Sequence, residues 1–239
     1  MAIVRTPPEG CSSLRGILRE SGWRGCARRR RCELTEGERA NVSRTLSTYE
    51  RGVDVYLRES SPTPSAPYAD FRRAVIDLLP PGARMLELGS GPGHDALFFE
   101  ERGVQVHRTD GARAFVERLR AQGHSAFLLE VTADDFGGPF DIVFANAVLL
   151  HLTAAQLGDV LRKAGAAVGW EGLLALTVKE GDGEAWTTAK MGEPRFFTYW
   201  RASTLRAHLV ATGWMPLSLD RVEGRLEPWL YVICRRAPL

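Results

Sequence analysis

Three glycines on alternate positions, Gly89, Gly91 and Gly93, follow the apolar run that holds Glu87, and a carboxylate, Asp110, stands a short distance downstream. Glycine at this spacing lets a turn take positive φ angles and leaves no side chain between backbone and ligand. An acid placed after the next strand is where a βαβ unit presents acceptors to ribose hydroxyls. The chemistry indicated is recognition of a nucleotide-like ligand. The elements that position these groups are a strand from Arg84, a tight turn that contains Ser90, and a helix over Asp95–Arg102 that buries Ala96, Leu97 and Phe98. A second strand, Val104–Arg108, then delivers Asp110 and Gly111 at its carboxyl end.

The glycine spacing separates two ligands that share this logic. A dinucleotide fingerprint of the G-x-G-x-x-G form needs a third glycine at position 94, where this chain has His94. The pattern is instead Glu-x-Gly-x-Gly-x-Gly, and here the chain resembles the class I S-adenosylmethionine (AdoMet) dependent methyltransferases. The resemblance covers roughly residues 42–235 and rests on several motifs in the correct order. It implies that Glu87, Gly89, Ser90, Gly91 and Gly93 pass beside the methionine part of AdoMet, and that Asp110 with Gly111 holds the ribose. It further implies that Glu130 and Val131 reach the adenine, with Glu130 where Asp is more usual. Thr48-Tyr49-Glu50 through Tyr56 resembles the family's Tyr-Asp-x-x-Ala-x-x-Tyr pattern, which would bring Tyr49 to the methionine carboxylate. Asn146 and His151 would line the junction between cofactor and acceptor.

Composition sets bounds. The 239 residues are 44% hydrophobic and 25% charged, enough for one α/β core. No apolar run approaches the roughly 20 residues of a membrane helix. Residues 1–34 hold eight arginines against three glutamates, a net +5 that leaves −3 for the rest, together with Cys11, Cys26 and Cys32 at spacings that match no common zinc pattern. Without apolar periodicity this segment is read, to residue 37, as a basic extension that does not order itself; a basic arm for nucleic acid or a partner is the other reading. Cys234 in the terminal apolar run reads as a buried thiol. Nothing demands a disulfide or a metal, and a cytoplasmic compartment is the expectation.

The expected domain, residues 38–239, is a Rossmann-like doubly wound sheet of seven strands, mostly parallel with an antiparallel last strand. Thr35–Glu59 has apolar residues three or four apart (Val42, Leu46, Tyr49, Val53, Tyr56) and predicts one long helix. Residues 60–67 are a Pro and Ser linker, and Tyr68–Leu79 a second helix stopped by Pro80-Pro81-Gly82. Further helices are predicted over 111–122, from a Thr153 cap to Val168, and over 201–212. Strands are predicted over 125–131, 140–146, 172–179, 214–219 and 229–234. Gly181–Trp200 is the least regular stretch and is expected to be an aromatic loop that holds the acceptor through Trp186, Arg195, Tyr199 and Trp200.

Methyl transfer from a sulfonium needs alignment more than activation of the electrophile. For a hydroxyl or protonated amine acceptor a base would help, and a near-neutral His151 is the natural candidate; a carboxylate acceptor needs none. A small molecule or modified peptide is the expected acceptor, with no nucleic acid and no membrane partner. An NAD-dependent oxidoreductase, since Asp110 suits any ribose, and a non-catalytic protein of the same fold are the alternatives.

Overall fold

The computed structural model describes residues 35–60 and 63–238. Residues 1–34 of the basic extension lie outside the described residues, while Thr35, Glu36 and Gly37, expected to belong to it, open the first helix. The first helix is opened by Thr35, whose hydroxyl accepts from the Glu38 amide while the Glu38 carboxylate accepts from the Thr35 amide. This reciprocal capping satisfies amides that a helix start otherwise leaves free. The helix α1 (Glu36–Arg51) ends at Gly52, and α2 (Val53–Glu59) restarts beyond it, so the single long helix expected over Thr35–Glu59 is in fact two. A Cβ at Gly52 would stand 2.4 Å from Met191 Cε and 2.8 Å from the Thr48 carbonyl oxygen. Only glycine fits at that break, and α3 (Ala66–Asp77) follows.

The main sheet is built from β1 (Arg84–Leu88), β2 (Gln105–Asp110), β3 (Ala126–Leu128), β4 (Phe140–Asn146), β5 (Val168–Lys179), β8 (Trp214–Val222) and β9 (Trp229–Arg236). Its order is β3-β2-β1-β4-β5-β9-β8. Strands β1 to β5 run parallel, and β9 pairs antiparallel with both β5 and β8. The seven-stranded, mostly parallel expectation is met. A register irregularity falls between Pro216 and Ser218 on the outermost strand.

Alternation along the central strand explains why the sheet is covered on both faces. Ile142 and Phe144 pack with Phe71, Val75, Met85 and Phe99 on one side. Val143 and Ala145 pack with Leu157, Leu161 and Leu174 on the other, where α6 (Ala154–Ala167) lies after its Thr153 cap. In the helix after the glycine turn, α4 (His94–Glu100), the buried residues are Ala96 and Phe99, while Leu97 is exposed and Phe98 half-buried. The expected trio Ala96, Leu97 and Phe98 is thereby corrected, because consecutive residues cannot share one helix face and residues three apart do. Cys234 is fully buried and free, and burial pushes its thiol up to about 12.

The stretch expected as an irregular aromatic loop is a two-stranded antiparallel hairpin, β6 (Glu184–Thr187) with β7 (Arg195–Thr198). Its second strand is bound to α1. The Thr48 hydroxyl donates to the Pro194 carbonyl at 2.7 Å, and the Phe196 amide donates to the Thr45 hydroxyl at 3.1 Å. Helix α7 (Ala202–Ala211) then leads back to the sheet. Among the described residues no helix is long and apolar enough to cross a membrane.

Candidate active site

Strand β1 pairs with β2 on one side and β4 on the other. A parallel sheet opens a crevice at the carboxyl ends of such a pair, because the connections leave in opposite directions. The glycine turn after β1 and Asn146 at the end of β4 form the two lips of this crevice. Gly89 and Gly91 take φ of +67° and +49°. A Cβ on Gly89 would strike Val148 Cγ2 at 2.3 Å, whereas a Cβ on Gly91 would meet nothing within 4 Å. The first glycine admits a neighbouring side chain, and the second leaves the crevice open.

Asp110 ends β2 and is held by two backbone amides, Gly91 N to Oδ2 at 2.9 Å and Ala112 N to Oδ1 at 2.8 Å. A carboxylate has about four lone-pair sites, so each oxygen keeps one acceptor position for a further donor. Burial pushes the carboxyl up to about 6 against the pull of those amides. Glu87 lies beneath the turn, 2% exposed, and accepts from the Ser90 hydroxyl. Burial first, and then the Asp95 carboxylate, push it up to about 8. Glu87 is therefore protonated at neutral pH and supports the turn from below; neither it, Ser90 nor Gly93 lines the main cavity. A buried acid with a raised pKa contributes stability below the unfolded value that is lost as pH rises through the folded one. Glu87→Gln should accordingly gain melting temperature relative to wild type between pH 5 and about 8, as measured by calorimetry at both pH values.

The cavity, about 110 Å³, is lined by Phe115, Leu129, Glu130, Val131 and Gly111. Tyr49, whose ring lies 6.5 Å from that of Phe115, lines it too, with Asn146 and His151. Glu130 accepts from the Thr132 hydroxyl at 2.5 Å, within its own turn. Asn146 donates from Nδ2 to Asp95 at 3.0 Å and accepts from the Thr177 hydroxyl at 2.7 Å. Asp95 is further held by the Tyr68 hydroxyl at 2.7 Å and by Arg72 at 3.2 Å. A second cavity of about 310 Å³ adjoins the first at Tyr56, Gly89, Gly91 and Asn146, and reaches Tyr68, Arg72, Ser90 and Asp95. Asp95, Thr177, Tyr68 and Arg72 were not anticipated from sequence.

Three residues far apart in the chain meet beside the cavity. His151, in a 3₁₀ turn after β4, places Nε2 2.8 Å from the Tyr49 hydroxyl and Nδ1 2.6 Å from the Phe196 carbonyl. Arg195 donates to the Tyr49 hydroxyl at 3.1 Å and to the Ala189 carbonyl at 2.6 Å. Burial, with Arg195 and Lys179 adding to it, depresses His151 to about 3 despite the Phe196 hydrogen bond. The near-neutral imidazole expected from sequence is thus replaced by one that is uncharged throughout the physiological range.

The expected acceptor residues are not gathered in the cavity. Trp200 is 6% exposed and packs against His208 on the core side. Tyr199 and the Lys179 ammonium lie beside each other at the end of β5, at 5.9 Å. Trp186 faces Arg44 at 4.7 Å on the outside of α1. Trp186 lies on β6 and Tyr199 and Trp200 follow the end of β7, and of the four expected residues only Arg195 reaches the site, through Tyr49.

Fold and site together define a Rossmann-like protein with an open crevice at the switch point of its sheet. Residues 86–174 match a family described as a methyltransferase domain. No curated protein matches the chain. Among solved structures it is similar to a 1,6-didemethyltoxoflavin-N1-methyltransferase from Burkholderia thailandensis, at a TM-score of 0.66 and 22% identity over 86% of this chain and 92% of that one. It is similar also to a magnesium protoporphyrin IX methyltransferase from Synechocystis (0.64, 14%, over 82% and 97%). The CcbJ methyltransferase from Streptomyces caelestis gives 0.61 and 18%, over 80% and 98%. The chain thus shares its fold with these methyltransferases, and the methyltransferase-domain match falls on the segment from β1 to β5.

Proposed function

We propose that this protein moves the methyl group of AdoMet to an oxygen or nitrogen of a small molecule by in-line displacement. The observation that carries this reading is Asp110: two amides fix its carboxylate at the crevice with one acceptor position left on each oxygen, as a ribose diol requires. The open space over Gly91 fits the close passage of a ligand along the turn. In this reading Asp110 and Gly111 hold the ribose, Leu129 to Val131 face the adenine, and Gly89, Gly91 and Asn146 hold the methionine end, with Glu87 and Ser90 shaping the turn. When bound, AdoMet supplies an electrophile already activated by its positive charge. The protein's own contribution is to align the acceptor and exclude water, which the lid of α1 and the β6–β7 hairpin serves.

The cavity and similar proteins support a small-molecule acceptor. The walls beyond Asn146 are aromatic and apolar with few polar groups, which suits a planar small molecule. Two of the similar proteins named above are methyltransferases of a didemethyltoxoflavin and of magnesium protoporphyrin IX. Separate calorimetric titrations with AdoMet and NAD test the cofactor, and a screen of small-molecule acceptors for S-adenosylhomocysteine release tests the reaction. Binding of NAD in preference to AdoMet would overturn the proposal in favour of a dehydrogenase.

A further inference from the structure

The polarity of one hydrogen-bond chain decides what nucleophile the cavity can receive. The Phe196 carbonyl can only accept, so His151 Nδ1, 2.6 Å away, carries a proton. With the imidazole neutral, Nε2 is bare, and the Tyr49 hydroxyl 2.8 Å from it must donate its single proton there. Arg195 has only protons to give, and its Nη1 occupies one lone pair of the same hydroxyl. Tyr49 is left with one lone pair and no proton to offer. Tyr49 and His151 are only partly buried, and both line the cavity. Arg195 is 6% exposed, forms no ion pair among the described residues and does not line the cavity. It acts on an acceptor only through Tyr49.

We infer that the acceptor carries a proton on its attacking atom, as a hydroxyl or an N–H, and that Tyr49 is the catalytic residue that receives it and relays its own to His151. This rests on the methyltransferase reading. A carboxylate acceptor would set a lone pair against a lone pair. In the step, the nucleophile's lone pair forms the bond to the methyl carbon as the carbon–sulfur bond breaks, and that bonding pair stays on sulfur as the neutral thioether of S-adenosylhomocysteine. The nucleophile's proton passes to Tyr49 Oη and the Tyr49 proton to His151 Nε2. The positive charge lost at sulfur reappears on the imidazole, which releases its proton to water when products leave. Burial raises Tyr49 and disfavours its phenolate, and the guanidinium of Arg195 partly offsets that cost as the proton passes through. The charged and titratable groups facing this pair are Arg195 from β7, Lys179 from β5, Asp110 from β2 and Tyr56 from α2.

The test has two arms on the full chain. Nitrogen-15 NMR of the protein saturated with S-adenosylhomocysteine should show His151 as the neutral Nδ1–H tautomer, without titration between about pH 5.5 and 8.5, and Tyr49→Phe should shift the Nε2 resonance. In the kinetic arm a matched panel of aryl alcohols, N–H heterocycles and aryl carboxylates is offered with AdoMet. Turnover is expected only with the first two. Tyr49→Phe, which keeps the ring, should lower kcat about 100-fold or more at unchanged AdoMet affinity. An Nε2–H tautomer overturns the inference even where the panel gives no turnover. So does turnover of a carboxylate with Tyr49→Phe within about twofold of wild type, or an equal loss of AdoMet affinity and kcat, which would place Tyr49 on the cofactor. Failure of the wild type to bind AdoMet in calorimetry is a different result, and it would sink the methyltransferase reading itself.

Discussion

Replacing Gly91 with valine is expected to take AdoMet binding below calorimetric detection while the far-ultraviolet circular dichroism spectrum stays nearly unchanged. The folded chain has room for the new side chain, since a Cβ at this position meets no protein atom within 4 Å. The cost to folding is confined to the positive φ of 49°, roughly 1–2 kcal/mol for a residue with a Cβ. The space that valine fills is the crevice itself, so the loss falls on the ligand. Gly89 gives the contrast. A Cβ there would overlap Val148 at 2.3 Å, and Gly89→Ala would report on packing of the β4 turn as much as on the cofactor. Retention of wild-type affinity in Gly91→Val would show that AdoMet does not pass along this turn.

Asp110→Ala should weaken AdoMet by about 1.5–3 kcal/mol, roughly 10- to 150-fold, the range for hydrogen bonds to a charged group. The carboxylate also orients two amides, so Asp110→Asn serves as the control that keeps one acceptor oxygen. Wild-type affinity should depend on pH in a definite direction. Burial lifts Asp110 to about 6, and the protonated form loses acceptor capacity, so affinity should be constant above that pH and fall by up to about tenfold per unit below it. Asp110→Asn should abolish the dependence. A loss below about twofold in Asp110→Ala, or a pH profile that Asp110→Asn leaves unaltered, would mean that the acid faces some other partner.

The glycine turn and its acid were legible because the chain carries their spacing locally. Gly89, Gly91, Gly93 and Asp110 belong to one strand-turn-helix-strand unit, and the turn chemistry forces their types. The groups around Asn146 and Tyr49 were not. Asn146 is held by Asp95, 51 residues away, and by Thr177, 31 away, and no local pattern states either contact. Tyr49 meets Arg195 across 146 residues for the same reason. The break at Gly52 had a signal in the glycine itself, which the strong apolar spacing of Val42 to Tyr56 outweighed. The hairpin had almost none, because each of its strands is four residues long and aromatics occur on both of its faces.

The outermost strand of the main sheet carries a proline at position 216, and its pairing with β9 slips just beyond it. A proline has no amide hydrogen, and a slip of this kind disturbs the even spacing of the groups that follow. Further along, Asp220 and Arg221 are exposed, and Arg221 is engaged by Glu180 and Glu223. A strand from another molecule that approached this margin would find a missing donor, a broken repeat and a charged stretch in succession. Addition of a further strand is discouraged at the one side of the sheet where the chain leaves a long β ribbon open.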